Sequence, residues 1–460
     1  MFGIAEDYKK DSGLDAAKTM APDGIRVTNT VKTTAPDGIR VTNAAKTTAP
    51  DGIRVTSVKS RNEQKTHSRR EAEQAQARSA LAFLRENVHL PEERVSRWLL
   101  AMVCGTILAA LAGLWIYNRA HTFDQYRILS RAEKNDVEGT LYERLGNSVI
   151  KYSHDGIFCV DTSNEIQWSA AYDMQTPICD ICDGVMAIAE QQGRQVYVLN
   201  EKGLLGSFEA AMNIRKIQTA SNGVTALVEE DEEVDWIELF SADGTQIASV
   251  RASLEDSGFP LDIALSPNGK RMVVSFLTQE NGVLTGKLSF YDFSSSSEDR
   301  HLMLSLNYPD TIFPDVFFAD GAVPVAAGDN CFVVFDSSKK PSEKVRVPFT
   351  EEILSCFHDG ENIGFIFDSG ETDTKYIMDV YNYAGKRTMQ TGCSFDYTGV
   401  QIADGEIFLY DSSNLTIYRT SGKKKLSVSY DREVKYFGPQ KGLRRYLVIT
   451  ADSMDRIRIE

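Results

Sequence analysis

The apolar and polar positions divide the 460-residue chain into three textures. Residues 1–69 show no apolar periodicity and are rich in Thr, Ala, Lys and Asp, which predicts a disordered tail. Residues 70–97 carry a narrow apolar stripe at Ala77, Leu81, Leu84 and Val88, and a helix start at Pro91 with Glu92 and Glu93. They predict a juxtamembrane helical segment. Trp98–Tyr117 is an uncharged run of 20 residues with Thr106 as its only Ser or Thr. At ~1.5 Å per residue such a helix spans a ~30 Å hydrocarbon layer. Trp98 marks one end and Trp115 with Tyr117 the other, as rings that prefer the headgroup level do. From about residue 122 to 460 the pattern becomes short β-prone runs separated by turns.

Those runs repeat. Asp183-Gly184, Asn222-Gly223, Asn268-Gly269, Asp320-Gly321, Asp359-Gly360 and Asp404-Gly405 each sit between two apolar runs, at spacings of 39, 46, 52, 39 and 45. These pairs supply the positive φ of tight hairpins. A third run follows each pair, and a fourth follows in most cases. Four antiparallel strands every ~40–45 residues describe one propeller blade. First strands are predicted to start near 140, 176, 213, 259, 312, 351, 397 and 433. The last unit offers only three strands, which would leave a raw sheet edge. The β-like run at Asp124–Ala132 is predicted to supply the fourth strand and close the ring. The fold class is therefore all-β, an eight-bladed propeller (seven if the first unit is misread), preceded by one membrane helix.

The quoted stretches "NSVIKYSHDGIFCVD", "AYDMQTPICDIC" and "PLDIALSPNGKRMVVSF" carry a resemblance as well. With a polar N-terminal segment and one spanning helix, they resemble an uncharacterised family of bacterial single-pass membrane proteins with an extracytoplasmic propeller-like domain. The likeness covers roughly residues 98–460. "LSPNGK" is similar to the Ser-Pro-Asp-Gly-Lys hairpin of WD-type propellers, with Asn268 replacing Asp. The resemblance implies architecture and no activity, so it assigns no catalytic residue.

Charge sharpens the picture. Residues 1–97 hold 17 Lys+Arg and 13 Asp+Glu, whereas residues 119–460 hold 33 and 52. A domain that acidic is a poor partner for nucleic acid. Within 40 residues of the apolar run, Lys+Arg favour the N-terminal side nine to six, although they tie at four each within 20. The bias predicts a cell-membrane protein with a cytoplasmic N-terminus and an external propeller. Ala101, Gly105, Ala109 and Gly113 recur at the spacing that lets two helices approach, a candidate homodimer face.

Candidate chemistry is sparse. The tail repeats with period 14 (Pro22, Pro36, Pro50; Gly24, Gly38, Gly52), too short for a solenoid unit, and reads as a tandem duplication. A second reading makes Thr34 and Thr48 phosphorylation sites, with Asp37 and Asp51 three residues on. Cys179 and Cys182 stand three apart in an expected strand, so their thiols point to opposite faces and cannot grip one metal. No phosphate loop, HExxH or nucleophile-base set is present, so no cofactor and no enzyme activity are expected. Two groups are singled out as binding-surface candidates. Glu229, Glu230 and Asp231 open a dense carboxylate run, read chiefly as a solvated hairpin tip. Asp180, Asp262 and Asp315 lie in first strands soon after Pro, where they would ring the channel mouth or serve strand-entry solvation. The expected function is a membrane-anchored scaffold that binds protein or glycan. The alternative is a sensor that signals through the tail.

Overall fold

The computed structural model describes residues 97–231, 234–280, 282–294, 301–371 and 373–460. The tail repeats, Thr34, Thr48 and the juxtamembrane segment to residue 96 lie outside them. Two compact units are present, and each is taken by itself.

In the smaller unit, helix α1 (Arg97–Ala120) runs 24 residues and contains the whole apolar run. Its described side chains are Met102–Gly113, Tyr117 and Ala120, all exposed. Among the described residues no helix is long and apolar enough to cross a membrane.

The larger unit begins at Thr122 and contains 32 described strands, β1 (Tyr126–Glu133) to β32 (Ser453–Ile459). They form eight four-stranded antiparallel sheets. The first strands of the sheets are β2 (Leu141–Leu145), β6 (Pro177–Cys182), β10 (Asn213–Thr219), β14 (Phe259–Leu265), β18 (Asp315–Ala319), β22 (Ile353–His358), β26 (Gly399–Ala403) and β30 (Val434–Pro439). Several of these first strands touch their neighbours in the next sheet, which places them innermost around an axis. The last sheet runs β1-β32-β31-β30, with β31 at Arg445–Thr450. The strand just before residue 134 therefore closes the eighth blade, and the ring has eight blades rather than seven.

Sequence explains the layering. Second and third strands such as β7 (Val185–Glu190) are almost wholly apolar and buried on both faces. Fourth strands such as β9 (Gly203–Glu209) alternate, because one side meets solvent. Buried side chains collect into eight clusters, one at each blade–blade junction. Burying each Leu, Ile or Phe stabilises the ring by about 1.5–3 kcal/mol.

The six x-Gly pairs all fall in hairpins between first and second strands, but they do not share one turn type. Asp183 and Gly184, and Asp404 and Gly405, both adopt positive φ (45° and 82°, 53° and 73°). At Asn268-Gly269 only the glycine does, at 67°, and the Asn268 side chain instead accepts the Lys270 N–H at 3.1 Å. Asp359-Gly360 uses neither. Some of these hairpins also lace blades together: the Ser221 hydroxyl donates to the Pro267 carbonyl at 2.7 Å, and the Asp320 N–H to the Gly360 carbonyl at 2.9 Å.

Candidate functional site

Alternation along an innermost strand turns every second side chain toward the axis. Glu143, Asp180, Lys216, Asp262, Asp315, Cys356 with His358, Gln401 and Tyr436 come one strand at a time from all eight blades. Asp180, Asp262 and Asp315 do belong together there. Asp180 and Asp262 each accept a backbone N–H from the next blade: Asp180 Oδ2 accepts the Thr219 N–H at 2.7 Å, and Asp262 Oδ2 accepts the Val316 N–H at 2.8 Å. The Lys216 ammonium lies 2.7 Å from Asp262 Oδ1. Asp315 stands beside the Cys356 thiol, and its carboxylate is 3.8 Å from His358 Nε2.

Enclosure sets the protonation of this ring. Burial is the largest cause at each carboxyl, since a charged form loses water there. It raises Glu143, Asp262 and Asp315 above the ordinary range and pushes Asp180 up to about 6. The Thr219 N–H bond opposes the rise at Asp180, and Lys216 opposes it at Asp262 and Asp315. Burial also holds His358 down at about 4, so its ring is neutral at neutral pH. That ring stacks on Phe317, with centroids 3.5 Å apart and planes 3° from parallel.

The second group lies at one rim of the ring, where first strands begin and second–third hairpins turn. β11 (Thr225–Glu230) and β12 (Asp235–Phe240) form one such hairpin. Here the expectation of a solvated tip is corrected for Glu229. Its side chain is fully buried, Oε2 accepts the Met212 N–H at 2.9 Å, and Oε1 has no partner. Burial, with Glu238 nearby, raises it to about 7. The strand carries the first glutamate inward before the turn opens. Glu230 and Asp231 do reach solvent, and Glu230 Oε2 accepts from Gln192 Nε2 at 3.1 Å.

At the same rim β15 (Arg271–Glu280) and β16 (Val283–Asp292) are ten residues each, longer than any other described strand. The hairpin they form presents Val283 and Leu284, 58% and 55% exposed. Leu254 and Phe259 stand beside Glu230 and Asp231 around a cavity of about 210 Å³. Arg215 crosses this floor, paired with Asp235 at 3.0 Å and stacked 4.3 Å from the Phe259 ring. Large apolar side chains exposed in a group mark interaction surfaces. Composition gave no sign of this rim. The length of the two runs flanking residue 281 was the available signal.

All seven cysteines are free thiols. Cys179 packs into the cluster between the first two blades, and burial raises Cys179 to about 12 and Cys182 to about 11. Among the described residues no group of three His, Cys, Asp or Glu could hold a metal.

The family model described as "Family of unknown function (DUF5711)" matches residues 119–459. The chain belongs to that family. No curated protein matches. BamB from Moraxella catarrhalis is similar at 11% identity, over 73% of this chain and 100% of that one, with a TM-score of 0.47. Saccharomyces cerevisiae Sqt1 is similar at 11%, over 74% and 100%, at 0.48. AztD from Citrobacter koseri in its apo form is similar at 11%, over 65% and 88%, at 0.45. These likenesses carry no argument about activity, and the architecture of this DUF5711 member rests on its own strand pairing.

Proposed function

We propose that this protein is a membrane-anchored propeller that acts as a scaffold for a protein partner, with its N-terminal tail cytoplasmic and the propeller outside the membrane. The observation that carries the scaffold reading is the rim of blades 3 and 4. There an elongated hairpin exposes Val283 and Leu284, and on the same rim Leu254 and Phe259 line a cavity with the carboxylates of Glu230 and Asp231. The partner that fits presents an apolar knob with a cationic border. The ring suits the task because blade–blade packing fixes the rim while loops are free to vary. Supporting the anchor are the uncharged sequence run Trp98–Tyr117 and the Lys+Arg excess before it. The repeat of Ala101, Gly105, Ala109 and Gly113 supports pairing of two such helices.

Photocrosslinking in intact cells tests the reading. A photoreactive residue replacing Leu254 or Leu284 is expected to give one discrete protein adduct in the membrane fraction. Replacement of Leu443, 67% exposed on the opposite rim, is expected to give none. Adducts from Leu443 alone, or from neither rim, would refute it. Removing residues 1–60 leaves the adduct intact if the protein is a scaffold, and a sensor would lose its downstream response.

A further inference from the structure

The domain's negative balance makes one cleft conspicuous. It lies between blades 8 and 1, on the rim opposite Leu254, at the turn after β2 and the turn after β30. Its volume is about 400 Å³, and Arg144, Lys441, Arg445 and Arg456 line it. The described lining includes no Asp or Glu.

The strand register concentrates these cations. Arg445 in β31 stands directly opposite Arg458 in β32, and Leu447 stands opposite Arg456. Leu447 faces blade 1 in the apolar cluster of that junction, so Arg445 and Arg456 share its face. Like charges directly opposed across strands are destabilising. Little offsets them here. Arg456 Nε donates to the Ser130 hydroxyl at 2.6 Å, and Arg458 Nε is buried with no partner. Arg144 reaches Asp404 at 3.2 Å, but that carboxylate is 66% exposed. Glu201 approaches from the blade 2 side and is occupied by the Asn147 N–H at 2.7 Å.

We propose that this cleft is a binding site for a multiply charged oxyanion, a phosphate-bearing or polycarboxylate ligand. Guanidinium forks match such groups in a bidentate way, and two arginines on adjacent strands present two forks to one ligand. Bound there, the anion cancels the Arg445–Arg458 repulsion and bridges the two blades on which ring closure depends. The site is separate from the rim proposed above, so either reading can fail alone.

Calorimetric titration of the full chain in detergent tests it, with pyrophosphate and citrate as probes at low salt. Saturable one-site binding is expected, weakened about tenfold in Arg445→Gln and in Arg456→Gln. Lys423→Gln, elsewhere on the same rim, leaves it unchanged. Without ligand, Arg445→Gln melts no lower than the parent, because it removes a like-charge pair. Binding of pyrophosphate alone assigns a phosphate ligand, and binding of both assigns a general oxyanion pocket. Absence of binding by both probes, or losses as large in Lys423→Gln as in the arginine variants, would overturn the proposal.

Discussion

The junction between blades 3 and 4 and the junction between blades 8 and 1 do the same job with different materials. The first holds thirteen described buried apolar side chains, among them Phe276, Met272 and Leu239. The second holds six, and it is flanked by the arginine-lined cleft and by a cavity of about 250 Å³ floored by Lys151 and Asp136. Ion pairs replace packing there: Asp136 lies 3.0 Å from Lys151 and 3.1 Å from Lys134. The chain closes its ring at the second junction, where β1 joins strands more than 300 residues away. The difference teaches that closure adds backbone pairing of the N-terminal strand and charge to a small apolar cluster, whereas the blade 3–4 junction sets its Lys216–Asp262 pair beside a much larger apolar core.

The contrast can be broken most severely at β1. Deleting residues 122–133 leaves β32 with an unpaired edge and removes the Arg131 bonds to Asp455 at 2.7–3.0 Å. Asp455 is fully buried and would lose its guanidinium partner. Loss of the cooperative melt, followed by circular dichroism, is expected, with aggregation through the open edge.

A matched pair of truncations sharpens it. Phe276→Ala at the blade 3–4 junction is expected to cost about 3–5 kcal/mol, because a fully buried ring leaves a cavity in a packed core. Leu447→Ala at the blade 8–1 junction is expected to cost about 2 kcal/mol, the low end for such changes, because the residue already borders an open cleft. Chemical denaturation of the two variants checks the order. Equal costs would remove the distinction between the junctions.

Much of this was legible in sequence, for identifiable reasons. Blade spacing was readable because six of the eight first hairpins carry an Asp-Gly or Asn-Gly pair, a local signal. The closing strand was readable because the final unit lacked one strand and "DQYRILSRA" was left over. Turn geometry was not, since Asn268 satisfies its turn through a side-chain bond that spacing does not encode. Glu229 was misplaced because a carboxylate run hides which member still belongs to the strand. Among the axial residues, Lys216 and His358 were missed, although comparing first strands unit by unit would have picked out their positions. The basic cleft could not be read at all: Arg144 and Arg445 are separated by 300 residues and meet only when the ring closes.

The smallest expected effect concerns pH and the axial ring. Asp180 titrates near 6 in the folded protein and near 4 in an unfolded chain. Its contribution is therefore favourable below about pH 4, where it is protonated in both states. That contribution is lost as pH rises toward 6, because ionisation is opposed only in the folded state. Asp180→Asn is expected to flatten this part of the stability profile while keeping an oxygen for the Thr219 N–H. Thermal melts at pH 4, 5, 6 and 7 check the slope, and an unchanged profile would return Asp180 to a purely geometric role.

Hydrogen exchange across the closing blade tests the central claim most directly. The amides of β1 that pair with β32 are expected to exchange as slowly as those of β31, and deleting residues 122–133 is expected to release β32. Fast exchange throughout Tyr126–Glu133 beside a protected β32 would contradict a ring closed by the N-terminal strand.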